Sequence, residues 1–250
     1  MSGAVAIVLA AGAGERLGAD TPKAFLPLAG TTMLGLAVQA AAACVEVGSV
    51  VAVVPEGWER RAEALLPSRV PVSIVTGGAS RQESVRLALA AVGPEVLAIV
   101  CHDAARPFAT RELFSAVLGA LRDADGAVPV VPVPDTVKRV SGGVVVATEP
   151  RDRLALAQTP QAFVASALRE AHARGTEGPP ATDDAALLER AGFRVRTVPG
   201  EPGNFKVTTG ADLARAEQLL SGGSLEPGDA RGSAGPSRET SGGPVEAARG

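Results

Sequence analysis

Short runs in which nearly every residue is apolar alternate along this chain with longer stretches in which apolar residues recur every three or four positions. Val5–Leu9, Val50–Val54, Val72–Val75, Leu97–Cys101 and Ala127–Val133 are of the first kind. Runs apolar on both faces are what strands need when a sheet is covered on both sides. Met33–Cys44, Trp58–Leu66, Gln82–Ala91 and Glu112–Leu121 are of the second kind and predict helices. In Gln82–Ala91, the residues Gln82, Glu83 and Arg86 can face water while Val85, Leu87 and Leu89 help cover the sheet. Strand alternating with helix predicts an α/β layered fold with a mostly parallel central sheet.

The rhythm breaks after Val133. Asp135–Val140 and Val144–Thr148 flank Ser141-Gly142-Gly143, which predicts two strands around a glycine turn. An isolated hairpin is only marginally stable, so this protruding arm, about residues 134–150, is expected to pack on the rest of the domain or on a second subunit. Helices are then predicted at Phe163–Ala173, Asp183–Ala191 and Ala211–Leu220, with a strand at Phe193–Val198. From Ser221 to Gly250, sixteen of thirty residues are Gly, Ser or Pro, and Leu225 and Val245 are the only large aliphatics. So little apolar surface cannot offset the entropy of ordering, which predicts a disordered tail at 221–250. The folded body is then one Rossmann-like domain, residues 1–220.

Composition narrows the partners. The formal net charge of -3 gives no general attraction to a phosphate backbone, so nucleic acid is not an expected partner. A local basic pocket for a phosphorylated metabolite remains compatible with it. With no Tyr and one Trp, the core must be built from Val, Leu, Ile and Ala. Cys44 and Cys101 lie in apolar segments and are expected to be buried, reduced thiols. Two cysteines with His102 and His172 far apart make no zinc constellation. No leader or membrane-spanning run is recognisable, so the expected location is cytoplasmic.

The strongest chemical signal directly follows the first strand: Leu9-Ala10-Ala11-Gly12-Ala13-Gly14-Glu15-Arg16-Leu17-Gly18, then Thr21-Pro22-Lys23. Small residues there let backbone N–H groups come close to a phosphate chain. Arg16 and Lys23 add positive charge at the carboxyl end of the strand, where open α/β sheets bind ligands. The spacing Gly12, Gly14, Gly18 does not fit G-x-G-x-x-G, and no acidic residue follows at the distance that a ribose contact needs. Ala19 stands where a Walker A lysine would be required.

Two further segments sit at strand ends. His102-Asp103-Ala104-Ala105-Arg106-Pro107-Phe108 places Asp103 at the mouth of the sheet. A carboxylate there can bind a sugar hydroxyl or a phosphate-bound Mg²⁺, or pair with Arg106 and order the turn. His102 fits a turn-stabilising hydrogen bond better than a catalytic role. Gly77-Gly78-Ala79-Ser80-Arg81-Gln82-Glu83-Ser84 opens a helix, with Ser80 and Glu83 at capping-box spacing and Ser84 within reach of a base or ribose.

The loop with its Pro22-Lys23-x-Phe25 continuation resembles the signature of sugar-phosphate nucleotidyltransferases. Together with GGASRQESV, HDAARPF, DTVKR (135–139), PRDRLALAQTPQAF (150–163), TDDAALLE (182–189) and NFKVTT (204–209), the chain resembles the 2-C-methyl-D-erythritol 4-phosphate cytidylyltransferases over nearly all of residues 4–220. Leu9 stands where many members have Pro, and Arg153 where Gly is frequent.

The resemblance implies an enzyme of isoprenoid precursor synthesis that joins CTP to the sugar phosphate with Mg²⁺ and releases pyrophosphate. It implies nucleotide binding by Ala10, Ala11, Gly12, Gly14, Gly78, Ser84, Asp103 and Lys206, and catalysis by Arg16 and Lys23. It implies sugar-phosphate binding by Arg106, Thr136 and Arg151, the last two from an arm that reaches across a homodimer. A ribitol 5-phosphate cytidylyltransferase, or a nucleotide-binding protein without activity, stays open as an alternative.

Overall fold

The protein is described by a computed structural model covering residues 3–12, 21–66, 69–175 and 180–222. The chain begins with β1 (Ala4–Leu9) and, after a 3-10 turn at Lys23–Phe25, a small hairpin of β2 (Pro27–Leu28) and β3 (Thr31–Thr32). Then follow α1 (Met33–Ala43), β4 (Val47–Val54), α2 (Glu59–Leu65), β5 (Val72–Thr76), α3 (Arg81–Ala90), β6 (Ala98–Asp103), α4 (Arg111–Gly119) and β7 (Gly126–Pro132). The arm is β8 (Lys138–Ser141) and β9 (Val144–Thr148), and the body resumes with β10 (Ala155–Ala157), β11 (Gln161–Val164), α5 (Ala165–Arg174), α6 (Asp184–Arg190), β12 (Val195–Pro199) and α7 (Gly210–Ser221).

Eight of these strands form one sheet, in which β5, β4, β1 and β6 are consecutive parallel neighbours. Beyond β6 comes antiparallel β11, then β7, then β12 parallel to β7. β10 continues the edge begun by β11. The Pro129 carbonyl accepts from Gln158 N–H and the next carbonyl, Val130, from Gly200 N–H. Successive carbonyls of a strand point to opposite sides, so β10 and β12 flank β7. The chain leaves β1 towards β4 on one side, and returns from β5 to β6 on the other. That reversal puts a crevice at the carboxyl ends of β1 and β6.

Alternation along β1 explains the two layers. Ala6 and Val8 join Val50, Ala52 and Val100 against α1, α2 and α4. Val5 and Ile7 join Val51, Val53, Ile99 and Cys101 against α3, α5 and α6. Residues of adjacent parity point to opposite faces, and both faces are covered. Phe114 and Phe163, both fully buried, fill one layer each. Both cysteines are free and buried. A third cluster of Leu28, Met33, Leu36, Val207 and Ala216 seats α7 on the β2–β3 hairpin and the start of α1.

Two expectations are corrected. Gln161–Val164 is an antiparallel strand, so the helix expected from Phe163 begins at Ala165. Phe163 is instead part of the sheet, bonded between β6 and β7. The first arm strand begins at Lys138, not Asp135. Gly142 and Gly143 carry φ of 57° and 79°, the left-handed values that a two-residue hairpin turn demands. The arm's strands pair only with each other. Of nine exposed large hydrophobics among the described residues, Val140, Val144, Val145, Val146, Leu154 and Leu156 are on or beside the arm. Of the expected tail, Ser221 ends α7 and residues 223–250 lie outside the described residues. No described helix is long and apolar enough to cross a membrane.

Candidate active site

A cavity of about 520 Å³ opens at the crevice between β1 and β6. Ala10, Ala11 and Gly12 line it from the loop after β1, and Lys23 from the 3-10 turn. Gly78, Ser84 and Arg81 contribute from the start of α3, Asp103 from the end of β6, and Lys206 from the segment before α7. Every described residue expected to bind nucleotide therefore lines one cavity. Gly14 and Arg16 lie outside the described residues. Arg106, Thr136 and Arg151 are not part of the lining.

Local packing places each group. Ala24 and Phe25 are buried, Phe25 against the Trp58 ring at 4.7 Å between centroids, which leaves Lys23 at the mouth. Lys206 is held from both sides. Asn204, wholly buried, donates Nδ2–H to the Thr159 carbonyl at 2.8 Å, and Val207 N–H donates to Ala105 O at 2.8 Å. Ser80 caps α3 by accepting from Glu83 N–H at 3.0 Å. Ser84 Oγ accepts from Gly78 N–H at 3.1 Å, tying the glycine pair to the first turn of the helix.

Asp103 does not pair with Arg106. Its Oδ2 accepts from Lys206 Nζ at 2.7 Å and its Oδ1 from Arg81 Nε at 3.2 Å. Arg106 instead donates to the carbonyls of Asn204 (2.8 Å) and Ala157 (3.2 Å), lacing β10 to the Lys206 segment. Burial disfavours charge on Asp103, but Arg81 and then Lys206 hold its pKa well below the usual carboxylate range. It stays ionised.

Arg81 and Asp184 are functional candidates that sequence reading missed. Arg81 Nη1 donates to Asp184 Oδ2 at 2.7 Å, and His172 Nε2 lies 2.9 Å from Asp184 Oδ1. Nothing local in the sequence singles them out, since each stands among polar residues where a helix starts, Arg81 at α3 and Asp184 at α6; the 1% exposure of Asp184 appears only in the fold. Burial opposes the Asp184 charge, and Arg81 followed by His172 keeps its pKa down.

His102 is wholly buried, and burial lowers its pKa to about 4. Its Nε2 faces Arg106 O at 3.2 Å, which can only accept, so Nε2 carries the proton. Nδ1 then accepts from Thr159 Oγ, which itself accepts Asp103 N–H at 3.0 Å. His102 thus braces the turn below Asp103.

Thr136 is exposed in the leg of the arm. Arg151 is likewise exposed, and its Nη1 donates to Pro134 O at 2.8 Å. Both belong to the arm rather than to the cavity wall.

Among the described residues, no three His, Cys, Asp or Glu side chains gather as a metal site. Asp103 is the only carboxylate among the described residues of the cavity lining. One carboxylate fits Mg²⁺ when phosphates supply other ligands, because that ion is commonly held by one or two carboxylates plus substrate phosphates.

A small-residue loop, a glycine pair, a clamped carboxylate and two lysines at a sheet switch point give a cavity whose chemistry suits a phosphorylated ligand. A model of the 2-C-methyl-D-erythritol 4-phosphate cytidylyltransferase family matches residues 4–222. A protein of that name from Nocardia farcinica is 48% identical over 218 residues, covering 86% of this chain and 93% of its own. The crystal structure of the Thermus thermophilus protein of that name superposes with a TM-score of 0.72 at 38% identity, covering 88% of this chain and 100% of its own. The 4-diphosphocytidyl-2C-methyl-D-erythritol synthase from Anaerococcus prevotii gives 0.78 at 28% identity, with 88% and 99% covered. With the match spanning the sheet, the cavity and the arm alike, this chain belongs to the 2-C-methyl-D-erythritol 4-phosphate cytidylyltransferase family.

Proposed function

We propose that the chain transfers CMP from CTP to 2-C-methyl-D-erythritol 4-phosphate, giving 4-diphosphocytidyl-2-C-methyl-D-erythritol and pyrophosphate, a step of isoprenoid precursor synthesis. The observation that carries this reading is the cavity itself. It combines backbone-lined loops for a triphosphate with Lys23 and Lys206 at its rim, in a chain of this family.

A phosphate oxygen of the sugar phosphate attacks the α-phosphorus of CTP, and the bond from that phosphorus to the bridging oxygen breaks, so pyrophosphate leaves with the electron pair. The nucleophile is already anionic near neutral pH and needs no general base. The groups at hand agree with that, since Asp103 is clamped by two cations and His102 is buried away from the cavity. Catalysis is then positioning plus stabilisation of charge on the α-phosphate and the leaving group. We assign that work to Lys23 and Arg16, and assign Lys206 to the phosphates as well. Ala10, Ala11, Gly12, Gly14, Gly78 and Ser84 hold the nucleotide. Mg²⁺, held by Asp103 and the phosphates, would neutralise phosphate charge when bound.

We assign the sugar phosphate to Arg106, Thr136 and Arg151. Thr136 and Arg151 stand outside their own chain's cavity lining, and the arm exposes a row of valines. Both points support a homodimer in which each arm completes the partner's site. The two free, buried cysteines suit a reducing compartment, and we place the protein in the cytoplasm.

Pyrophosphate release with CTP and Mg²⁺ tests the reading, comparing methylerythritol phosphate with ribitol 5-phosphate. Selective turnover of the first is expected. Turnover of the second alone reassigns the sugar pocket, and release with neither refutes the activity.

A further inference from the structure

From the wall of the nucleotide cavity inward runs a line of ionisable side chains: Lys206, Asp103, Arg81, Asp184 and His172, each within hydrogen-bond distance of the next. Its front and back differ in freedom. The Lys206 side chain is 44% exposed and Arg81 26%, whereas Asp184 is 1% exposed and His172 3%. The front lysine can follow a phosphate that enters the cavity. Arg81 cannot, because its Nη1 is tied at 2.7 Å to a carboxylate that is itself held by a buried imidazole.

The position of Arg81 also runs against local preference. It is the first residue of α3, where the helix dipole disfavours a cation. Salt bridges at such depth are weak evidence for stability, since desolvation opposes the attraction. A guanidinium suits this place for a different reason. Its planar fork can bridge two carboxylates at fixed angles, and a lysine can reach only one.

We propose that Arg81, anchored by Asp184 and His172, is a positioning residue that keeps the Asp103 carboxylate aimed at the nucleotide when Lys206 leaves it for the phosphates. This deepens the proposed function and rests on the same cavity. Asp103 thus has two counter-charges with separate duties, one that can leave for the ligand and one that stays.

The test uses calorimetric CTP affinity in Mg²⁺, steady-state turnover and thermal unfolding. Asp184→Asn is expected to weaken CTP binding and kcat/KM for CTP by about ten- to a hundredfold, the scale on which outer partners orient an inner ligand. KM for the sugar phosphate should stay within about twofold, since that substrate is assigned elsewhere in the site. In an Asp103→Asn background, Asp184→Asn should have no further effect on CTP affinity, because its influence passes through the carboxylate already removed. A purely structural role would lower Tm and add in both backgrounds.

If Asp184→Asn does not fold, Arg81→Met with Asp184→Leu replaces the pair by apolar side chains of similar volume, a change proteins often tolerate. That variant should fold and still lose CTP affinity. Wild-type CTP affinity in either folded variant would overturn the proposal. So would an Asp184→Asn effect that persists without Asp103, since Arg81 would then act on the nucleotide directly through its Nη2, which has no partner among the described residues. A wild-type protein that binds CTP but turns over no sugar phosphate would refute the proposed activity, while the binding measurements would still decide the role of Arg81.

Discussion

Gly77→Ala is expected to damage the site by spacing alone. A Cβ built at Gly77 falls 2.2 Å from the Ala11 Cβ, about 1.2 Å inside the shortest ordinary contact of 3.4 Å. It also meets Ser84 Oγ at 3.0 Å and Val53 Cγ1 at 3.3 Å. The Ala11 Cβ and the new one are both fixed to backbone, so no rotamer relieves the clash. The loop after β5 must move away from the loop after β1, and these loops frame the nucleotide cavity. Gly77 has no positive φ, so the new residue brings no backbone strain to confuse the result.

Overpacking of this kind costs about 1–3 kcal/mol, a fall of roughly 3–10 °C in Tm for a chain of this size. The functional loss should be larger than the stability loss. A displacement near 1 Å at reacting groups lowers rates by about a hundredfold. Pyrophosphate release at varied CTP, alongside thermal unfolding, reads both quantities. Adding Ala11→Gly removes the opposing methyl and should recover most of each. Wild-type kcat/KM for CTP in Gly77→Ala, or no recovery in the double variant, would refute the claim that contact between these loops sets the site.

Lys23→Ala should lose about 3 kcal/mol of transition-state stabilisation, near a hundredfold in kcat/KM, and turnover within a few-fold of wild type would remove Lys23 from its role. If the proposed arm-mediated homodimer forms, Val144→Glu with Val146→Glu should monomerise it in sedimentation, since two valines contribute about 3 kcal/mol of burial, and turnover should fall with it. An unchanged dimer would place the interface elsewhere. Asp212→Ala should lower stability at pH 7 by about 1 kcal/mol, because Asp212 caps α7 through Thr208 and Thr209. Backbone and hydroxyl hydrogen bonds from Thr208, then from Thr209, hold the Asp212 pKa below the usual range. Its contribution is therefore complete above the unfolded pKa of about 4 and is lost as pH falls towards the folded one. The variant should accordingly show a shallower loss of stability in acid, and an acid limb as steep as wild type would refute this.

What the linear chain determined by itself was local. Apolar runs and helical spacing specified β1, β4, β5, β6 and β7 and the helices between them to within a few residues, because periodic burial is written residue by residue. The small-residue loop and Gly77-Gly78 were legible for the same reason, since close approach to a backbone needs missing side chains at particular positions. Two things were settled only in three dimensions. Gln161–Val164 is too short to show a period, and its state depends on β6 and β7 offering hydrogen bonds on both sides. The partner of Asp103 was sought three residues away at Arg106, yet it is Arg81 and Lys206, the latter 103 residues distant. A parallel sheet gathers the loops at its strands' carboxyl ends whatever their order in the chain. Charges meeting there are paired by topology, which no local pattern of residues encodes.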